Sequence, residues 1–357
     1  MISGGGTGGH IYPAIAIGKA ITQLNSEFEI RYVGTKEGLE QKIMAREKLP
    51  LDLILSGKLN FSGNIMQKIK TLVKIPIGLM QSFFLILKHQ PQFVLGVGGY
   101  ASAPFVMMAS LMGKKTALWE PNAHPGMANR LLSKSVNKAY LVFDDAKKYF
   151  SSKNVQVFGM PLRAEIDAAV SNAVPRAVET NKLSILCFGG SQGSVFLNEK
   201  ISDFILAHPE LKNEIHLIHQ TGPLDFEKMK AKYGTTANVE LHEFIYDMPH
   251  YYEKADIQFC RGGASTIAEA AAFGVVPIIV PLNAADNHQL KNAEVVVKQN
   301  AGYLFKQSDF NESNFSNIIM KLKADTDFRL KMSQNLRKLA PHQAAQAIAK
   351  DILNQII

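Results

Sequence analysis

Residues 255–282 read ADIQFCRGGASTIAEAAAFGVVPIIVPL, and this stretch decides the fold. An apolar run ends at Cys260, Arg261-Gly262-Gly263-Ala264 makes a close-approach turn, and a helix is predicted to start around Ser265 and Thr266. A second apolar run, VPIIVPL, follows that helix. Strand, glycine turn, helix and strand in so short a span form the parallel crossover unit of α/β proteins. Glycine at such a turn lets backbone N–H groups approach a ligand, and the helix start adds partial positive charge. The hydroxyls of Ser265 and Thr266 suit a diphosphate, and Glu269, about one turn in, suits both hydroxyls of a ribose. The same side chains also read as plain helix caps and as an acidic partner of the helix dipole.

The alternation extends in both directions. Strands are predicted at IRYVG, LDLIL, FVLGVGG, TALWE, AYLVF and VQVFG in the first half. In the second half they are LSILCFGG, IHLIHQTG, VELHEFI, ADIQFC, VPIIVPL and GYLF. Helical patterns separate them, so the fold class is α/β with two doubly wound parallel sheets, that is, two Rossmann-like domains. At 357 residues the chain is longer than one core usually supports. The expected domains are 1–162 and 163–340, with a helix at about 341–357 packing back on the first. Only Met1-Ile2-Ser3 precedes the first glycine, which leaves a minimal first strand.

Glycine-rich turns recur after strands as SGGGTGGH, GVGGYASAP and FGGSQGS, each placed to open a helix. Gly4, Gly6 and Gly9 fit the dinucleotide fingerprint, but that motif needs an acidic residue at the end of the second strand to hold the ribose. Here that strand ends in Gly34-Thr35-Lys36, so a nicotinamide enzyme is rejected. The loop NAADNHQLKNA adds a polar cluster of Asp286, His288, Gln289 and Asn292 at another strand end.

Composition narrows the class further. Apolar residues make up 46% and charged residues 20%, the balance of a globular protein, and no apolar run is long enough to span a membrane. No basic-plus-apolar leader is visible. Cys187 and Cys260 both lie in strand-like runs, which excludes a disulfide scaffold or thiolate metal site and suits a reducing cytoplasm. The net charge is +8, and the excess sits in the first half: through Arg163 there are 20 Lys and Arg against 9 Asp and Glu. Between Asp52 and Glu120 there is no acidic residue, while seven lysines occur. That asymmetry calls for an anionic partner.

Taken together, GGGTGGH, GVGGYASAP, WEPN, GMPLR, FGGSQG, EFIYDM and CRGGASTIAEAAAFGVVPIIVPL come in the order found in the MurG family of glycosyltransferases, family 28, and the chain resembles that family nearly end to end. The resemblance implies a GT-B fold, two Rossmann-like domains with an interdomain cleft. It implies inverting transfer of GlcNAc from UDP-GlcNAc to the MurNAc 4-hydroxyl of undecaprenyl-linked lipid I, giving lipid II. The implied place is the cytoplasmic face of the bacterial inner membrane, as a peripheral protein with cell-wall assembly proteins as further partners.

Carried onto this sequence, the family's UDP-GlcNAc contacts fall on Thr7, Gly8, Gly9, Asn122, Arg163, Ser191 and Ile245. They continue through Ala264, Ser265, Thr266, Ile267, Ala268 and Glu269 to Gln289. Ile245 would meet the uracil through its backbone and Glu269 the ribose. Ser191, Ser265 and Thr266 would lie near the diphosphate, and Gln289 near the sugar. Where the family commonly has His-Glu-Gln-Asn, this chain has Trp119-Glu120-Pro121-Asn122, and His288 stands where glutamine is frequent.

His10 and Glu120 fall on the acceptor side as rival general bases. Imidazole titrates near neutrality, which favours His10, and a structural histidine supporting the glycine turn is the alternative. Amides, hydroxyls and Arg163 are enough to hold a departing diphosphate, so no cofactor or metal is required; a divalent cation is compatible with the chemistry but not indicated.

The acid-free stretch has the basic and apolar composition of a membrane-resting helix. Its candidate membrane-facing residues are Lys68, Ile69, Lys70, Leu72, Val73, Lys74, Leu79 and Phe83. Pro76 and Gly78 predict two helical pieces. A core helix with a solvated lysine face is the competing reading. Nucleic acid is excluded as the anionic partner, since no basic stripe with stacking aromatics occurs. The remaining functional alternatives are another lipid-directed enzyme of this fold such as a diacylglycerol glycosyltransferase, a UDP-GlcNAc 2-epimerase, or a non-catalytic UDP-sugar-binding protein.

Overall fold

The computed structural model describes residues 1–36, 38–56, 65–151, 154–172, 182–283 and 287–356, with 65–73 and 172 as backbone only. The chain divides into two compact units, Met1–Arg163 with Gln343–Ile357, and Ala164–His342.

In the first unit the strands are β1 (Ile2–Ser3), β2 (Tyr32–Gly34), β3 (Leu51–Leu53), β4 (Phe93–Gly96), β5 (Lys115–Glu120), β6 (Lys138–Leu141) and β7 (Val155–Val157). They are all parallel and lie in the order β3-β2-β1-β4-β5-β6-β7. The helices are α1 (Gly8–Leu24), α2 (Glu40–Arg46), α3 (Ile65–His89), α4 (Ser102–Leu111) and α5 (Met127–Leu132). Central strands are apolar on both faces, as FVLG and TALW require when helices cover both sides.

In the second unit the helix α6 (Ala164–Asn172) leads into β8 (Leu183–Phe188), α7 (Val195–Ala207), β9 (Ile215–Gln220), α8 (Phe226–Tyr233), β10 (Val239–His242) and α9 (Met248–Lys254). It continues with β11 (Ile257–Cys260), α10 (Ala264–Phe273), β12 (Val276–Ile279), α11 (His288–Lys298), β13 (Tyr303–Leu304), α12 (Glu312–Ala324) and α13 (Thr326–Arg337). The sheet order is β10-β9-β8-β11-β12-β13, again all parallel. Its core is built on Ile185, Cys187, Leu217, Phe259, Ile278 and Phe315, and Cys260 is likewise fully buried, so both cysteines are packing residues.

The last helix, α14 (Ala344–Ile356), belongs to the first unit and packs on α1. Ile348, Ala349, Ile352 and Leu353 face inward, and each fully buried branched side chain contributes about 1.5–3 kcal/mol. Asp351 fixes the register by accepting from Lys138 Nζ at 2.5 Å and Tyr140 Oη at 2.7 Å.

Two local expectations need correction. α3 runs through Pro76 as one helix instead of breaking into two pieces. Pro76 is on the exposed side of that helix. Helix α10 begins at Ala264 with Gly263 as its N-cap, one residue before the sequence placed it.

Candidate active site

In each sheet the chain starts at a middle strand, winds one way, then crosses over and winds the other way. Ligands of such sheets bind beyond the strand C-termini at that reversal. In the first unit the reversal lies between β1 and β4; in the second it lies between β8 and β11. The four most glycine-rich turns, GGGTGGH, GVGGY, FGGSQG and CRGGA, follow those four strands.

At the first reversal the two turns touch through their backbones: Gly5 N donates to Gly98 O at 3.2 Å. Thr7 caps α1 without a side-chain hydrogen bond, so the amides of Gly8 and Gly9 open the helix next to His10. His10 is half-exposed, and its Nδ1 lies 3.5 Å from Thr7 Oγ1. Its ring lies over Gly98, where a Cβ would come within 2.9 Å of Cδ2 and Nε2. Gly98 therefore has to be glycine, and its φ of +92° demands the same.

Two buried carboxylates hold these loops. Glu40, 1% exposed, accepts from Gly6 N at 3.0 Å and from Thr35 N and Oγ1 at 3.1 and 3.0 Å. An acid is thus close to the first glycine turn after all, but its oxygens are taken up by Gly6 and by Thr35 after β2. Glu120, 2% exposed, accepts from Asn122 N and Nδ2 through Oε1, and from Gly126 N and Asn129 Nδ2 through Oε2, at 2.9–3.2 Å. It organises the loop that carries Asn122. Arg163 sits with its guanidinium 5.7 Å from the centre of the Tyr12 ring.

At the second reversal α10 starts with no side-chain cap on Gly263, so Ser265 and Thr266 lie within the first turn and are not capping residues. The amides there are open toward an anion. Glu269 is buried one turn in and accepts from Tyr252 Oη at 3.3 Å. Ile267 and Ala268 are buried, so any contact they make to a ligand is through the backbone. Ala264 is buried beside them, and Ser191 is exposed at the tip of its turn. Gln289 clamps the α10 turn: its Oε1 accepts from Gly262 N at 3.2 Å and Leu282 N at 2.8 Å, which leaves its amide N–H groups for a ligand. Asn292 Nδ2 donates to Gly262 O at 3.1 Å from the same helix. Asp286 lies outside the described residues.

Arg261 is a site residue that sequence reasoning passed over. Its guanidinium donates to Ser194 Oγ at 2.7 Å, Val280 O and Gln307 Oε1 at 3.0 Å, and Pro281 O at 3.4 Å. All four acceptors are neutral. Burial lowers its pKa from the usual value, but a guanidinium stays charged, so a positive charge lies among the strand ends. Among the described residues no three His, Cys, Asp or Glu side chains gather as a metal site.

The family descriptions that match are the glycosyltransferase family 28 N-terminal domain over residues 1–141 and its C-terminal domain over residues 184–355. The chain belongs to glycosyltransferase family 28. Over 354 residues it is 50% identical to the UDP-N-acetylglucosamine–N-acetylmuramyl-(pentapeptide) pyrophosphoryl-undecaprenol N-acetylglucosamine transferase of Bdellovibrio bacteriovorus, covering 99% of this chain and 98% of that one. The transferase of the same name from Myxococcus xanthus is 34% identical over 351 residues, covering 98% and 91%. Among solved structures, Acinetobacter baumannii MurG matches with a TM-score of 0.82 at 26% identity, covering 99% of this chain and 98% of that chain.

Within this family 28 chain, Trp119 is fully buried on β5 and Pro121 is buried after it, so neither side chain is offered to a ligand. His288 opens α11 and is half-buried. On α3 the side chains of Lys68, Ile69, Lys70, Leu72 and Val73 lie outside the described residues. Of the rest of that expected face, Lys74 and Leu79 are half-buried and Phe83 is exposed. The more exposed apolar side chains are Phe84 at 60% and Met80 at 56%, with Leu87 beyond them. The neighbouring α4 adds exposed Met107 and Leu111. Among the described residues no helix is long and apolar enough to cross a membrane.

Proposed function

We propose that this family 28 enzyme transfers GlcNAc from UDP-GlcNAc to the MurNAc 4-hydroxyl of lipid I, with inversion, giving lipid II. The second unit binds the donor. Uridine lies over the EFIYDM loop with its ribose on Glu269, and the diphosphate rests on the Ser191 turn and the open start of α10, with the charge of Arg261 adding to the field. The first unit binds the acceptor beside the Gly4–His10 turn.

The acceptor oxygen attacks the anomeric carbon while the bond from that carbon to the β-phosphate oxygen breaks, and UDP leaves with the electron pair. The acceptor's proton goes to His10. Helix-start amides, hydroxyls and a fixed guanidinium stabilise the charge that develops on the diphosphate. Glu120 is the less suitable base, because its oxygens accept from Asn122 and Gly126 of the 121–126 loop and from Asn129 on α5. The exposed apolar side chains of α3, with the lysines of the acid-free stretch, rest on an anionic leaflet at the cytoplasmic face of the inner membrane, within reach of cell-wall assembly proteins.

One observation carries this reading: the uncapped start of α10, at the reversal of the second sheet, with a buried carboxylate one turn in. Calorimetry with UDP-GlcNAc tests it. Glu269→Ala should weaken binding by roughly 1–3 kcal/mol, the worth of charge-assisted hydrogen bonds to a ribose. Unchanged affinity would remove Glu269 from the site. UDP-GlcNAc incubated alone should yield no UDP-ManNAc, which separates transfer from epimerisation.

A further inference from the structure

The end of β9 carries a side chain that neither the sequence motifs nor the donor contacts include. In the sheet β9 lies between β10 and β8, so its last residue, Gln220, is flanked by the loops that follow both neighbours. It is 3% exposed. Its Nε2 donates to Gly190 O at 3.0 Å, in the turn that carries Ser191. Its Oε1 accepts from Ile245 N at 2.8 Å, in the EFIYDM loop. Only this orientation of the amide satisfies both partners, since a carbonyl needs a donor and an N–H needs an acceptor.

The surrounding packing leaves the two loops little freedom to find each other by other means. Thr221 N and Gly222 N donate to His242 O and Glu243 O, at 3.0 and 3.1 Å, which fastens the β9 and β10 ends together. On the other side Gly193, at φ +77°, fits so tightly that a Cβ would lie 1.8 Å from Thr221 O. Asn198 Nδ2 holds the same Thr221 carbonyl at 3.0 Å. Gln220 thus joins the Gly190 turn and the Ile245 backbone through a single side chain.

We infer that Gln220 is a positioning residue that couples nucleobase recognition to diphosphate binding. The inference rests on the proposed placing of uridine on the 243–248 loop and diphosphate on the Ser191 turn. With the Ile245 N–H committed to Gln220, the Ile245 carbonyl is the polar group of that residue left for the base. Uracil presents an N3–H donor to such a carbonyl, whereas cytosine presents a lone pair at N3. The orientation that Gln220 imposes on Ile245 therefore sets the preference for uracil, and its other hydrogen bond holds the Gly190 turn in register with the seated base.

Binding of UDP and CDP to the full-length wild type, Gln220→Leu and Gln220→Glu, alongside thermal melts, tests this. Leucine removes both hydrogen bonds. UDP affinity should fall about tenfold or more, and the preference for UDP over CDP should shrink toward parity, since two buried backbone groups lose their partner. Glutamate still accepts from Ile245 N but cannot donate to Gly190 O. UDP affinity should again fall, yet the UDP-to-CDP ratio should stay within about twofold of wild type. A purely structural glutamine predicts lower melting temperatures with unchanged affinity and ratio in whatever folds, and that result overturns the inference. So does a glutamate variant that loses base preference as fully as the leucine variant. If Gln220→Leu does not fold, Gln220→Glu decides alone. Wild-type protein that fails to bind UDP would sink the functional reading itself, a different outcome from either.

Discussion

His10 stands on the first turn of α1 and Glu120 at the end of β5, and they differ in burial. Each Glu120 oxygen receives two hydrogen bonds, from Asn122 on one side and from Gly126 and Asn129 on the other. A substrate hydroxyl would have to displace a buried donor to reach it, leaving that donor unpaired at a cost of about 1–3 kcal/mol. His10 is half-exposed at the mouth of a helix. Replacing it with alanine should lower kcat by roughly 10²–10⁴-fold, the usual contribution of a general base, while the KM for UDP-GlcNAc stays within a few-fold. Steady-state kinetics that keep kcat within about fivefold would make the histidine structural. A second histidine reports on stability. His219 is buried between Tyr233 Oη at 2.9 Å and Asn198 Oδ1 at 3.0 Å, and burial lowers its pKa from 6.5 to about 3. Above about pH 6.5 both folded and unfolded forms are neutral there, so nothing is lost. As the pH falls from 6.5 toward 3, the unfolded chain takes up a proton that the native state refuses, and stability falls by up to about 1.4 kcal/mol per pH unit. Melts of His219→Gln between pH 7 and 5 should show a shallower decline than wild type; equal slopes would refute this assignment. Glu40, Gln220 and Arg261 were not legible in the sequence, because each acts on partners 5 to 67 positions away that no local pattern specifies.

At the scale of elements, the strands were the readable part. Every predicted strand is present, since β-branched and aromatic runs between glycine turns have few other ways to bury both faces. Helix α3 was harder. Proline argued for a break, but tertiary contact overrides that local penalty. Gly78 fits against Leu55, where a Cβ would lie 2.2 Å from the carbonyl, and Gln81 Oε1 accepts from Leu55 N at 2.6 Å. Sequence periodicity also could not tell which apolar residues face outward: Met80 and Phe84 are more exposed than Leu79, because Ser82 and Ile86 set the buried side. Reversing the charge of Lys68, Lys70 and Lys74 together should reduce cosedimentation with anionic liposomes. Each lysine near such a surface is worth about 1 kcal/mol, and the effect should fade as salt is raised. Equal binding by variant and wild type, at low and high salt alike, would refute a basic membrane-resting face.

Across the whole molecule, the same solution is used twice. The winding of each sheet reverses once, and each reversal is lined by two glycine turns that lead into helices. The charge is divided between the halves, with the excess of Lys and Arg in the residues through Arg163. In the proposed function the end in the second unit serves the soluble donor and the end in the first the lipid-linked acceptor. The glycine turns were legible from the sequence, as were Glu120, Gln289 and Asn292 as candidates, while Glu40 and the clamping role of all four needed the folded chain. The most direct test supplies radiolabelled UDP-GlcNAc and a short-chain lipid I analogue to the full-length protein. The account predicts label in a lipid-linked disaccharide with the β configuration that inversion of the donor's α-linkage produces, together with equimolar UDP. Donor binding without label in the lipid, or label joined with retained configuration, would contradict it.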